Sequence, residues 1–253
     1  MDMYQKRKMR QEKVKNGNKE ENSKYNINWY PGHMAKTKRQ IIEDLKLVDL
    51  VVEVLDARIP ISSQNPDIQE YIKNKNKIEV LNKADLADET QTANWVKYFE
   101  KNNIPAVITD SNSGKGIREV IKKIHTVSAE TKEKSAQKGR AGRSIRVLVL
   151  GIPNVGKSSF INRISKKTSA KVGNKPGVTR QKQWIRVDEG IELMDTPGVL
   201  WPKLGSEEVA TNLAFTGTIK DDILEKTENN FFVCFENGRI SHIYAGRKPL
   251  YRF

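Results

Sequence analysis

The chain has 253 residues, 37% of them apolar, and carries 45 Lys and Arg against 31 Asp and Glu, a formal charge of +14. That length allows one large α/β domain with a small appendage, and the excess of cations points to a polyanionic partner such as nucleic acid or an anionic membrane surface. A single cysteine, Cys234, excludes an internal disulfide, three histidines make no zinc pattern, and no apolar run reaches the ~18 to 20 residues of a membrane span.

Residues 1–26 carry Lys6, Arg7, Lys8, Arg10, Lys13, Lys15, Lys19 and Lys24 against Asp2, Glu12, Glu20 and Glu21, with almost no apolar content. Such a segment cannot repay its own ordering entropy, and it reads as a basic, disordered tail. It contains no apolar core of the kind a signal peptide needs, so a cytoplasmic protein is expected. Asn28-Trp29-Tyr30-Pro31-Gly32-His33-Met34 follows, a Pro-Gly turn ahead of a helix from about Ala35 to Leu47 with Ile41, Ile42, Leu45 and Val48 on one face. Trp29 and Tyr30 read as packing anchors. His33 taken alone is more often a structural hydrogen-bonder than a chemical group.

From Asp49 buried strands alternate with amphipathic helices, the pattern of a parallel sheet with helices on both faces. Leu50–Leu55 is a strand ending at Asp56-Ala57-Arg58-Ile59-Pro60, and a helix of about ten residues starts at Pro66. The strand Lys77–Leu81 delivers Asn82-Lys83-Ala84-Asp85 at its C-terminal end, where ligands bind in open α/β sheets. An Asp in this N-K-x-D arrangement can accept two hydrogen bonds from guanine, a pair of donors that adenine lacks. A helix over 89–101 and a strand over Ile104–Ile108 lead to Thr109-Asp110-Ser111-Asn112-Ser113-Gly114 and a further helix near Gly116. Ser111 could hold the guanine O6, although a helix-capping turn has the same composition. Residues 128–143 read as a linker.

The strand Ile145–Leu150 runs into Gly151-Ile152-Pro153-Asn154-Val155-Gly156-Lys157-Ser158, a G-x-x-x-x-G-K-S phosphate loop opening a helix marked by Ile161 and Ile164. Its glycines turn backbone N–H groups inward, Lys157 places a charge on the outer phosphates, and Ser158 can ligate Mg²⁺. From Arg163 to Val187 there are eight basic residues and no acidic one, and the segment includes Pro176-Gly177-Val178-Thr179. Thr179 in a mobile loop can reach Mg²⁺ and the γ-phosphate. A hairpin of Gln183–Val187 and Ile191–Met194 ends in Asp195-Thr196-Pro197-Gly198, where Asp195 can bind a water of Mg²⁺ and the Gly198 N–H can meet the γ-phosphate.

Most GTP-binding proteins place these elements in another order, phosphate loop first. The two halves are exchanged here, and 128–143 is where the old termini would be joined. Together with Asn28–Met34, Asp56–Pro60, the phosphate loop and Asp195-Thr196-Pro197-Gly198-Val199-Leu200-Trp201-Pro202, this order resembles the circularly permuted GTPases of the ribosome biogenesis GTPase A family over about Ile27–Ile223. The fold expected is α/β, a P-loop GTPase with a mostly parallel sheet flanked by helices, circularly permuted, with a short C-terminal appendage. Its domains are the tail 1–26, a GTPase domain 27–217 and an atypical segment 218–253.

The resemblance implies a monomeric GTPase that hydrolyses GTP to GDP, binds immature large ribosomal subunits and ribosomal RNA, and needs no membrane. The nucleotide-contacting set it implies is Asn82, Lys83, Asp85, Ser111, Asn154, Val155, Gly156, Lys157, Ser158, Ser159, Thr179, Asp195 and Gly198, with Ser158, Thr179 and Asp195 around Mg²⁺. Many GTPases orient water with a Gln after D-x-x-G, whereas Val199 and Leu200 stand here. The resemblance assigns that task to His33, or to a K⁺ ion held by Asn154 as in related potassium-stimulated GTPases. An RNA-binding module that holds GTP with little turnover is the alternative reading, and a P-loop ATPase or kinase is disfavoured by Asn82–Asp85. The C-terminus departs from the family pattern, which continues into a helical RNA-gripping domain. Here Phe231–Phe235 and Gly238–Tyr244 alternate like a β-hairpin.

Overall fold

The computed structural model describes residues 32–139, 142–166, 184–201, 206–219, 231–236, 239–245 and 248–252. The expectations for the tail 1–26, for Trp29 and Tyr30, and for Pro176–Thr179 lie outside these residues. Among the described residues no helix is long and apolar enough to cross a membrane.

A six-stranded sheet has the order β3-β2-β1-β4-β6-β5. Its strands are β1 (Leu50–Asp56), β2 (Asn76–Asn82), β3 (Ala106–Ile108), β4 (Ile145–Leu150), β5 (Trp184–Asp188) and β6 (Ile191–Asp195). All neighbours run parallel except β5 and β6, the expected hairpin. The strands β1 and β4 form the centre. Every residue of β1 is buried, as a strand covered on both faces requires.

Alternation along the strands assigns each side chain to a face. Val52, Val54, Ile78, Val80, Val147 and Val149 join α4 (Ile117–Val127), α6 (Lys157–Lys166) and α7 (Glu207–Phe215) in one cluster. On the other face Val51, Leu148 and Leu150 meet Ile41 and Leu45 of α1 (Gly32–Leu45) and Ile68 and Ile72 of α2 (Pro66–Ile72). Beside them Leu55 and Leu81 meet Phe99 of α3 (Glu89–Lys101). Each fully buried Leu, Ile or Phe contributes roughly 1.5–3 kcal/mol, so these interfaces outweigh the weak helix propensities.

Several boundaries differ from the sequence reading. The first helix begins at Gly32, so the Pro-Gly turn expected before Ala35 is replaced at its second residue by helix. After Pro66 the helix is seven residues long, because Lys75 N–H closes onto Ile72 and Asn76 already pairs with Leu50 in the sheet. The linker region contains α5 (Ala129–Gln137), which starts at the buried Ser128. Lys132 of α5 donates to His125 Nδ1 at 3.2 Å, and Nε2 of the same ring faces Asp188 Oδ2 at 3.0 Å. An ammonium is donor only, so His125 carries its proton on Nε2 and donates to Asp188. The linker helix is thereby tied to the β5–β6 hairpin.

The C-terminal strands β7 (Phe231–Glu236), β8 (Arg239–Ala245) and β9 (Lys248–Arg252) form a separate antiparallel sheet in that order. The expected hairpin thus has a third strand. Among the described residues β9 pairs only with β8, and an edge strand tolerates the missing N–H of Pro249.

Two acidic side chains sit inside the sheet. Glu53 of β1 is the register partner of Glu79 of β2, and both are buried. Gln69 donates to Glu53 Oε2 at 2.7 Å, while Gln64 and Lys77 contact Glu79 Oε1 at 3.2 and 3.0 Å. Burial and the proximity of Glu79 push the Glu53 carboxyl well above its usual range, and burial raises Glu79 as well. The remaining Glu79 oxygen is buried with no hydrogen-bond partner, so the pair favours holding a proton.

Candidate functional site

The C-terminal ends of the parallel strands lie along one edge of the sheet. Asp56 of β1 is in register with Asn82 of β2, and Val149 of β4 with Asp195 of β6. Every motif singled out in the sequence that falls within the described strands therefore emerges at this edge, the usual ligand position of open α/β sheets.

Asn82 joins the two halves of the chain. It is 1% exposed and donates from Nδ2 to the Val155 carbonyl of the phosphate loop at 2.9 Å. Its Oδ1 accepts from Thr109 Oγ1 at 3.2 Å and from the Ser111 N–H and hydroxyl at 3.2 and 2.7 Å. One amide thus fixes the phosphate loop and the Ser111 loop together. From the other side Arg163 of α6 donates to the Ser111 carbonyl at 3.0 Å. Lys83 follows with a left-handed backbone, φ 61°, and Asp85 is exposed in the short 3₁₀ helix Ala84–Leu86.

The phosphate loop leaves β4 and opens α6 at Lys157. N–H groups in a first helical turn have no intrahelical partner and form an anion site. Gly156 has φ 86°, and a Cβ there would collide with the Asn82 amide, so only glycine fits between the loop and its brace. Val155 is buried, whereas Ser158 and Ser159 are exposed at the helix start. The buried Lys157 bonds Asp195 Oδ1 at 2.5 Å and also reaches the Thr196 carbonyl. Thr196 in turn donates to the Val149 carbonyl at 2.7 Å, which anchors the D-x-x-G segment beside the loop. A Cβ on Gly198 would lie 2.9 Å from the Pro153 nitrogen, so this segment touches the phosphate loop backbone to backbone.

Asn154 also has a left-handed backbone, φ 64°, and its amide donates to the Gly217 carbonyl just past α7. Val199 and Leu200 after D-x-x-G are 2% exposed, so neither presents a side chain to a reacting water. Thr179 lies outside the described residues. His33 is placed in the first turn of α1, and its side chain lies outside the described set.

Two contributions escaped the sequence reading. Asp56 holds both Arg58 and Lys83, and Asn65 donates to the Val199 carbonyl at 2.9 Å, tying the start of α2 to the exit of D-x-x-G. A carboxylate closing an apolar strand was the only sequence signal for the first. Asn65 also caps the helix: its Oδ1 accepts the Asp67 N–H at 3.0 Å.

These residues fit a nucleoside triphosphate with Mg²⁺. The two glycine contacts leave no room for a Cβ, the helix start offers N–H donors, and hard oxygen donors stand at Ser158 and Asp195. Among the described residues no three His, Cys, Asp or Glu converge on a metal position. Mg²⁺ suits such a site, since it is held by one or two protein oxygens together with water and phosphate.

Residues 146–233 match the family described as 50S ribosome-binding GTPase. Ribosome biogenesis GTPase A of Bacillus licheniformis is 50% identical over 198 residues, 78% of this chain and 70% of that protein. Mitochondrial ribosome-associated GTPase 1 of Xenopus tropicalis is 36% identical over 227 residues, covering 86% of this chain and 72% of its own. Among solved structures, GNP-bound YlqF from Thermotoga maritima is 31% identical with a TM-score of 0.55, covering 76% of this chain and 72% of that one. With its permuted strand order and its assembled phosphate loop, this chain belongs to the ribosome biogenesis GTPase A family and is a GTPase.

Proposed function

We propose that this GTPase acts in the cytoplasm on immature large ribosomal subunits and couples GTP hydrolysis to a late step of their maturation. The observation that carries the nucleotide chemistry is the Asn82 bridge, which brings the N-K-x-D strand end, the Ser111 loop and the phosphate loop into one site. The relatives' names support the ribosomal partner. The GTPase unit is 27–217, and the tail 1–26 with the basic stretch Arg163–Val187 supplies phosphate contacts to ribosomal RNA.

In this reading Asn82, Lys83, Asp85 and Ser111 form the guanine side, with Asp85 accepting from the base. Asn154, Val155, Gly156, Lys157, Ser158 and Ser159 hold the phosphates. Ser158, Thr179 and Asp195 surround Mg²⁺, which neutralises charge on the phosphate oxygens when bound. The Gly198 N–H meets the γ-phosphate. With Val199 and Leu200 buried, water is oriented by His33, and K⁺ ligated by Asn154 Oδ1 supplies further positive charge. The Asn154 amide nitrogen is already committed to Gly217, which leaves that oxygen as the ligating atom.

The test is GTP and ATP turnover with and without large-subunit particles, in K⁺ and in Na⁺. GTP turnover that rises with the particles and is faster in K⁺ is expected. Turnover indifferent to ribosomal particles would overturn the assembly reading, and equal rates in the two salts would overturn the role of K⁺.

A further inference from the structure

β1 ends in a charged cluster that shares only Lys83 with the nucleotide contacts above. The Asp56 side chain is 2% exposed and receives Arg58 through two bonds, Nε to Oδ1 at 2.8 Å and Nη2 to Oδ2 at 2.7 Å. The Arg58 N–H adds a third at 3.1 Å, so the guanidinium has one available geometry. Lys83 Nζ occupies the same Oδ2 at 3.1 Å. The backbones are joined as well, because the Ala57 N–H donates to the Asn82 carbonyl at 2.8 Å. Burial raises the Asp56 carboxyl, but Arg58 and then Lys83 outweigh it and hold it below the usual carboxylate range. Burial opposes the charge on Arg58, and Asp56 first and Asp85 second sustain it.

Lys83 is therefore not a free cation at the edge of the site. Its ammonium is tethered behind the sheet edge while its stem passes the phosphate loop, with Cε 3.9 Å from where a Gly156 Cβ would stand. The left-handed backbone at Lys83 is one that a side-chain-bearing residue keeps only when its surroundings fix it.

We propose that Asp56 and Arg58 are positioning residues for guanine recognition: Asp56 anchors Lys83 and Arg58, and so keeps both cations from closing onto Asp85. The proposal rests on the guanine site described above. Without the Asp56 charge two cations stand beside the one carboxylate that has to accept from the base. Either one, once released, competes with the guanine N–H donors for Asp85. Discrimination against a base that offers one donor fewer then falls, since that discrimination depends on Asp85 being open to both.

The test is a cycle of Asp56→Asn, Lys83→Met and the double variant in the full chain, with Kd for GDP and for IDP, whose hypoxanthine lacks the exocyclic amine. Asp56→Asn is expected to weaken GDP about tenfold and IDP less, so that the IDP/GDP ratio shrinks, and its effect should be smaller on the Lys83→Met background, where Arg58 alone is left to be released. A GDP affinity within about twofold of wild type, or additive effects in the cycle, would overturn the proposal. A lesion that is only structural would weaken both nucleotides alike and leave the ratio unmoved. If Asp56→Asn does not fold, Arg58→Lys carries the test, because an ammonium cannot make the two-pronged contact; an unchanged IDP/GDP ratio there refutes the role of Arg58. A wild-type chain that binds GDP and IDP equally well would instead remove the guanine site itself, which separates the two failures.

Discussion

Replacing Asn82 by Ala probes the contact on which the site depends. The substitution deletes four hydrogen bonds, to the Val155 carbonyl, the Thr109 hydroxyl, and the N–H and hydroxyl of Ser111. All four lie in a region that water does not reach, since Asn82 is 1% exposed and Thr109 fully buried. At about 1 kcal/mol for each, the loss is about 4 kcal/mol, a large share of the 5–15 kcal/mol typical of a domain. Urea unfolding of the apoprotein measures it, with a lower midpoint and an unchanged slope expected because the surface exposed on unfolding is the same. A loss below about 1 kcal/mol would refute the reasoning, since it would mean that neither loop relies on this amide. Asn82→Asp refines the test. It keeps an acceptor for Thr109 and Ser111 but sets an oxygen against the Val155 carbonyl, so the phosphate-loop side should loosen selectively.

Three further outcomes are expected. Gly198→Ala places a methyl group against the Pro153 backbone, which cannot give way, so GTP turnover should drop about 100-fold while GDP affinity stays near wild type; equal turnover would show that the close approach is dispensable. Glu53 has its folded pKa raised above the ordinary 4.5, so the stability its proton confers is full below that value and is lost as pH rises through the folded pKa. Glu53→Gln should therefore raise the urea midpoint at alkaline pH and flatten its decline as pH rises above 4.5, whereas an unaltered decline would exonerate the pair. His33→Ala should cut subunit-stimulated GTP hydrolysis about 100-fold with nucleotide affinity nearly unchanged, and undiminished stimulated turnover would remove His33 from the mechanism.

The parts of the fold that were legible in the sequence are those with local causes. The apolar runs of β1 and β4 are continuous because both faces are covered, and α3 runs from Glu89 to Lys101 because Asp88 caps it, accepting the Gln91 N–H at 2.8 Å. The phosphate loop, N-K-x-D and D-x-x-G were readable because each follows a strand, and the strand ends bring them to one edge. What escaped depends on distant partners. Nothing near Asp56 announces Lys83, 27 residues on, and nothing near Asn65 announces the Val199 carbonyl 134 positions away. The shortened α2 has the same origin, since its end is set by where β2 must start to pair with β1.

The central strand pair has a consequence of its own. β3-β2-β1 comes from residues 50–108 and β4-β6-β5 from 145–195, and among the described strands the two sets are hydrogen-bonded only where Leu50–Glu53 meet Val147–Leu150. In the proposed site a guanine nucleotide would touch both sides of that line, and so work as a bracket across a seam. A chain cut between α5 and β4 would leave two fragments whose reassociation tightens with nucleotide concentration, by RT ln(1 + [L]/Kd) for ligand that recognises the joined form alone. Occupancy of the site then reports on the integrity of the sheet, and release of the nucleotide returns the molecule to the grip of one strand pair and the side chains that cross it.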